Sequence, residues 1–237
     1  MRCFVYWEGP QPDYIGRCLR SVERVCRQTQ FTLVTPETLA QFVPADALHP
    51  DFQTLHEPAH RADCIRAALL AHHGGFYFDA DTVGLRDPAE VVSDHDLIYA
   101  VWDNQPRRVL NGYIYARPGS LIATQWLAAI NERLADLASA QPTHWTGLGE
   151  GILTKLVDNA DPASVRQVPR HTFLPIDVDR NVQQFFKAGD PRRFIMPSTV
   201  CYGLNHSYFW ANHRELFEPV SRGSRLIQKL LAAYTSP

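Results

Sequence analysis

The chain has 237 residues, 45% of them hydrophobic and 20% charged, which is the make-up of an ordinary soluble globule long enough to bury a full core. Its 25 acids nearly cancel its 23 lysines and arginines, and a net charge of −2 gives nucleic acid no electrostatic hold. No run approaches a membrane span, the amino terminus lacks the apolar length of a signal peptide, and the five scattered cysteines form no C-x-x-C, so the expectation is one domain with reduced thiols in a cytoplasmic setting.

In chain order, Arg2 to Trp7 reads as an opening strand, stopped by a Gly9-Pro10 turn. Ile15, Leu19, Val22 and Val25 recur at helical spacing, and Phe31 to Val34 reads as a second strand. Strand, helix and strand at this spacing predict a parallel βαβ unit, with ligands beyond the carboxyl ends of the strands. Residues 35–58 are loop-rich, with prolines at 36, 44, 50 and 58 and room for one short helix. A helix is expected from His60 to about His73, with Ala62, Ile65 and Leu69 as its apolar stripe and Asp63 and Arg66 together on one face. His72 and His73 point about 100° apart on such a helix and read as helix-end polar residues.

Gly74-Gly75 then turns the chain, Phe76-Tyr77-Phe78 reads as a short buried strand, and Asp79-Ala80-Asp81 stands at its end. Two carboxylates flanking a small residue where a strand runs into a turn can converge on one hard cation, Mg²⁺ or Mn²⁺, that also takes phosphate oxygens. A bare D-x-D is ordinarily a solvated or capping turn, so the motif needs company. A calcium loop on Asp79, Asp81, Gly84 and Glu90 fails at Val83 and lacks an entering helix. A phosphatase of the haloacid dehalogenase type, with Asp79 as nucleophile, meets D-x-D-x-V but needs a later acidic pair; Gly189-Asp190 begins one and Phe194 spoils it.

Further on, 96–102 (DLIYAVW) and 109–116 (VLNGYIYA) read as strands, the second interrupted at Asn111-Gly112 by either a bulge or a close approach of ligand or backbone. An amphipathic helix is expected over 119–137, with Leu121, Trp126, Ile130, Leu134 and Leu137 buried. Thr143 to Gly151 holds three glycines in five residues and opens a helix to about Val157; Glu150, its one acid, either caps that helix or orients an acceptor. Residues 158–194 show only short elements. Thr199 to His206 reads as a late strand, and 215–234 as a helix whose apolar face covers its own domain in preference to docking peripherally on a membrane.

The joint pattern Arg61-Ala-Asp63-Cys-Ile-Arg66, a helix, then Gly74-Gly75-Phe-Tyr77-Phe-Asp79-Ala-Asp81 resembles the signature of sugar-nucleotide glycosyltransferases. The likeness is to the family of initiating α-mannosyltransferases and α1,4-galactosyltransferases that extends to the clostridial glucosylating toxins; Ala62 stands where that family usually has Ser. The resemblance implies a GT-A-type α/β fold with a mostly parallel sheet, a donor-nucleotide half over about 1–116 and a closing, acceptor half over about 117–237. It implies retaining transfer from a nucleoside diphosphate sugar, UDP favoured, to a glycan or other hydroxyl. In that reading Tyr6 and Trp7 lie by the base, as in the family's W-x-G. Asp63 and Arg66 hold the donor sugar and diphosphate, beside Tyr77 and Asn111. Asp79 holds ribose or metal, Asp81 the metal, and His206 is a third metal ligand, with His213 and Asn205 as rivals. Imidazole ligation implies Mn²⁺ over Mg²⁺. A non-catalytic sugar-nucleotide or glycan-binding module remains the other reading.

Overall fold

The opening strand β1 (Arg2–Tyr6) pairs in parallel with β2 (Gln30–Val34) across α1 (Asp13–Val25), the predicted βαβ unit. The computed structural model describes residues 1–103, 107–137, 147–176, 183–206 and 225–234. On its other side β1 pairs in parallel with β3 (Gly75–Asp79), which follows α2 (Pro58–His73). β5 (Leu97–Val101), β6 (Val109–Ala116) and β7 (Val165–Gln167) complete a six-stranded sheet in the order β2-β1-β3-β6-β5-β7. All neighbours run parallel except those of β6, which is antiparallel to both β3 and β5. β1, β3 and β5 therefore end at the same edge, and β6 begins there.

The period of two along each strand divides the core. Cys3, Val5, Phe76 and Phe78 face α1 and the carboxyl-terminal helix α6 (Leu226–Tyr234), while Phe4, Tyr6 and Tyr77 face α2 and α3 (Leu121–Leu137). Fully burying a side chain such as Phe76 is worth roughly 1.5–3 kcal/mol. A second, two-stranded sheet joins β4 (Thr82–Gly84) to β8 (Cys201–Gly203) in antiparallel fashion, which brings a late segment beside the D-x-D.

The glycine pair behaves as expected. Gly74 ends α2 at φ 62° and Gly75 starts β3 at φ 96°, both in the left-handed region where a Cβ is strained, and a Cβ on Gly75 would lie 2.4 Å from the Arg2 carbonyl oxygen.

Several expectations are corrected. Residues 35–58 hold two 3₁₀ turns, Leu39–Gln41 and Pro50–Thr54, the second opened by Pro50 and capped by the His49 ring accepting from Asp51 N–H. α2 is buried on nearly every side from Asp63 to Leu70, being sandwiched between the sheet and α3. Leu121 is 64% exposed at the start of α3, whereas Trp126, Ile130 and Leu134 are buried. The late strand is only three residues long, and β7 went unrecognised. The helix expected to about Val157 is present as α4 (Glu150–Asn159), and a four-residue α5 (Gln183–Phe186) follows within the stretch read as short elements. α6 buries Leu226, Ile227, Leu230 and Leu231 against its own domain, and Arg24 donates to the Tyr234 carbonyl oxygen. Among the described residues no helix is long and apolar enough to cross a membrane. The expected helical positions 215–224 and the side chain of Leu137 lie outside the described residues.

Candidate active site

A cavity of about 770 Å³ opens at the common edge of β1, β3 and β5, where the βαβ reading expected a ligand. Trp7 follows β1, Asp79 ends β3, and Asn111 lies near the start of β6. Tyr6, Asp63, Arg66 and Tyr77 line the same cavity, as do Asp81, Glu150, Asn205 and His206, so these residues singled out in the sequence meet in one place.

Its floor is a chain of charge. Arg66 Nη1 lies 3.0 Å from Asp63 Oδ1 and its Nη2 donates to Asp79 Oδ1 at 2.7 Å, with the guanidinium carbon 4.7 Å from the centre of the Tyr77 ring. Asn111 Nδ2 donates to Asp63 Oδ1 at 2.8 Å. Two glycines let backbone press onto these carboxylates. A Cβ on Gly112 would sit 2.0 Å from Asp79 Oδ2, and one on Gly149 would sit 2.3 Å from the Asp63 carboxyl and 2.4 Å from Asn111 Nδ2. The Asn111-Gly112 interruption is thus both an irregularity and a close approach, since pairing of β5 with β6 slips between Tyr99 and Val101.

Burial dominates the electrostatics. It pushes the Asp63 carboxyl up to about 6, against the pull of Arg66. Asp81, 6% exposed, is pushed up to about 7 by burial and by the Asp79 charge, although the His206 backbone N–H donates to its carboxylate. Burial works against the Arg66 charge too, but Asp79, Tyr77 and Asp63 together raise that group above its ordinary value.

The carboxyl-terminal wall comes from the strand-like approach to His206. Leu204 N–H donates to the Asp81 carbonyl at 3.1 Å, and Asn205 takes φ 54°, a left-handed conformation that asparagine tolerates. The His206 ring shares a hydrogen bond with the Tyr14 hydroxyl through Nδ1 and meets the Trp7 ring edge-on at 5.5 Å. Burial lowers its basicity. His206 thus reaches Asp81 through its backbone, and among the described residues no three carboxylate, imidazole or thiol groups gather as a metal-holding cluster. His213, Thr143 to Thr146 and Ser207 to Trp210 lie outside the described residues.

The donor set suits a hard divalent cation nonetheless. Asp79 and Asp81 crowd two carboxylates at one strand end, and the nearest guanidinium is spent on only one of them. A cation with phosphate oxygens as its other ligands relieves that repulsion. Trp7 and Asn205, which line the cavity, carry buried donors, Trp7 Nε1 and Asn205 Nδ2, with no hydrogen-bond acceptor among the described residues.

Glu150 is the first residue of α4. The N-cap is Gly149, and the Glu150 carboxylate turns across the cavity to accept from Trp102 Nε1 at 3.1 Å and to pair with Arg108 Nη1 at 2.9 Å. Sequence reasoning missed Trp102 and Arg108. The signal was present, since Trp102 ends β5 as Trp7 ends β1. Asp190, required by the phosphatase reading, lies away from the cavity, bonding Arg192 at the start of a 3₁₀ turn.

Residues 12–99 match the family described as "Glycosyltransferase sugar-binding region containing DXD motif". No curated protein sequence matches the chain. Among solved structures, the PaToxG glycosyltransferase aligns with a TM-score of 0.50 at 11% identity over 66% of this chain and 67% of its own, a likeness of fold. A glycosyltransferase involved in glycosylating the major capsid of PBCV-1 aligns at 0.40 and 10% identity, over 72% and 83%. The apo-form glycosyltransferase GlyE of Streptococcus pneumoniae TIGR4 aligns at 0.43 and 11%, over 72% of this chain and under half, 45%, of its own. Residues 12–99, with Asp79-Ala80-Asp81 as the motif, carry the likeness of this chain to the DXD-containing glycosyltransferases.

Proposed function

We propose that the chain is a divalent-metal-dependent, retaining glycosyltransferase that moves a sugar from a UDP-sugar to an acceptor hydroxyl in the cytoplasm. The observation that carries the reading is the convergence of Trp7, Asp63, Arg66, Asp79 and Asp81 on one cavity. The first half, about 1–116, supplies the donor side; Glu150, Asn205 and His206 from the second half close it.

In the transfer the acceptor oxygen bonds to the anomeric carbon as the bond from that carbon to phosphate oxygen breaks. The electron pair leaves with the nucleoside diphosphate, which also accepts the hydroxyl proton. Asp79 and Asp81 would hold Mg²⁺ or Mn²⁺, which when bound supplies Lewis acidity toward the departing diphosphate. Arg66, fixed between Asp63 and Asp79, presents a preorganised positive charge beside the same oxygens. Asp63 and Asn111, already bonded to one another, orient the hydroxyls of the donor sugar. Trp7 offers its ring to the base and its buried N–H to an acceptor atom. UDP is favoured over GDP because Trp7-Glu8-Gly9 repeats the W-x-G of the resembled family.

The test is a thermal-shift panel of UDP- and GDP-sugars with and without Mn²⁺, followed by NMR of the anomeric configuration of any product. A ligand that binds only the native state raises apparent stability. UDP-sugars are expected to stabilise only with the cation present, and no shift with any nucleotide overturns the reading.

A further inference from the structure

The cavity has a wall that the donor does not use. Neighbouring strands lie ~4.8 Å apart, so along the order β1-β3-β6-β5 Trp7 stands one strand from the D-x-D and Trp102 stands two strands away on the other side, ~14 Å from Trp7. With the base beside Trp7 and the diphosphate at Asp79 and Asp81, the donor sugar lies at Asp63 and Asn111. What remains is the far end, built by Trp102, Arg108 and Glu150.

These three form an ordered unit. The Trp102 backbone N–H donates to the Arg108 carbonyl at 2.9 Å, its indole N–H donates to Glu150 Oε2, and Arg108 pairs with Glu150 Oε1. α4, which Glu150 opens, is tied to β6 by the Thr154 hydroxyl accepting from Val109 N–H at 3.0 Å. Trp102 is half-buried and Glu150 nearly buried, so an indole ring is held at the cavity wall in one orientation. The charges cancel within the unit. Arg66, the other guanidinium lining the cavity among the described residues, is already shared by two aspartates, so neither of these two guanidiniums is left uncompensated for an anionic acceptor.

We infer that Trp102, Arg108 and Glu150 are the acceptor subsite, and that it takes a neutral pyranose. A pyranose presents an apolar C–H face and a rim of vicinal hydroxyls. The indole face suits the first, and a guanidinium beside a carboxylate, with donors and acceptors in fixed geometry, suits the second. A site built to bond hydroxyls discriminates strongly against acceptors lacking them. The inference rests on the donor reading above, because the direction from base to acceptor is set by Trp7.

The experiment uses the full chain with saturating UDP-sugar and Mn²⁺, and as probes neutral methyl hexopyranosides, methyl glucuronide and a serine-containing peptide. Transfer is followed by mass spectrometry and UDP affinity by calorimetry. The wild type is expected to prefer a neutral methyl hexoside. Trp102→Ala and Arg108→Ala are each expected to raise the KM for that hexoside at least tenfold while the UDP dissociation constant stays within twofold. Trp102→Phe, which keeps a stacking face, should recover most of the loss and guards against a folding artefact. Preference for the glucuronide or the peptide overturns the inference, as does an acceptor KM unmoved in both alanine variants or one that moves in step with UDP affinity. UDP-sugar that binds and hydrolyses but transfers to no neutral hexoside overturns it while leaving the donor reading intact; UDP that fails to bind at all sinks both.

Discussion

Asp81 and Asp87 lie six residues apart in the stretch that follows β3, both buried, at 6% and 7% exposure, and they have opposite fates. Asp87 is fully provided for. Its carboxylate accepts from the backbone N–H groups of Arg27 at 2.7 Å, Gln28 at 2.5 Å and Ala89 at 2.9 Å, and from the Thr29 hydroxyl at 3.1 Å. Burial pushes its pKa up, but those donors outweigh burial and hold it below the usual carboxylate range. Asp81 receives the His206 N–H while facing Asp79, and it ends near neutrality. A buried acid surrounded by donors is a structural knot, here locking the end of α1 to the 3₁₀ turn after β4. A buried acid crowded by another acid is a strained position that a ligand relieves.

That contrast is sharpest in Asp81→Asn. It is expected to lower transfer on the order of a hundred- to thousandfold, in keeping with loss of one preorganised electrostatic group. It should also raise the melting temperature of the metal-free protein by a few degrees, at about 2–4 °C per kcal/mol for a chain of this size. Full turnover in excess chelator, or a variant that melts lower, would break the comparison. Gly112→Ala comes next, because its methyl must displace the Asp79 carboxylate. A misplacement of ~1 Å costs about a hundredfold in rate, and far-UV dichroism should remain that of the wild type.

Trp7→Ala is expected to act on binding, since stacking on a base is made equally in ground and transition states. Stacking is worth about 1–3 kcal/mol per base, so the KM for the donor should rise roughly tenfold or more with kcat little changed. An unaltered UDP dissociation constant would count against the base lying there. His206→Ala tests the metal shell. Its backbone, not its imidazole, meets Asp81, so the Mn²⁺ half-saturation point should move less than about threefold. A tenfold rise would make the imidazole a ligand after all.

Asp87→Asn should leave the turnover of folded enzyme unaltered and act only on stability. Its folded pKa is lowered, so the wild type gains stability above the unfolded value of about 3.9 and loses it as pH falls through the lower folded value. Urea titrations from pH 6 down to pH 3 should show the acid-side loss flattened in the variant. An equal slope in both proteins would move the knot elsewhere.

Much of the D-x-D side of the cavity was legible in the sequence for a physical reason. Local chemistry writes itself into adjacent residues: a glycine pair that must turn left, an alternating aromatic strand, two acids at its end, and Asp63 and Arg66 one helical turn apart. These predict a parallel α/β sheet with a cation-suited strand end without any long-range information. Other features depend on contacts between segments far apart in the chain. Only the fold decided that Arg66 spends itself on Asp79, that His206 offers Asp81 its amide, and that Gly149 abuts Asp63 across 86 positions of sequence. Glu150 turned from helix cap to partner of Trp102 and Arg108 because the strand order β1-β3-β6-β5 sets the end of β5 at the cavity, facing the first turn of α4. Hydrophobic periodicity fixes which face of an element is buried, but strand order arises from the packing of the whole chain, and here strand order sets which side chains meet.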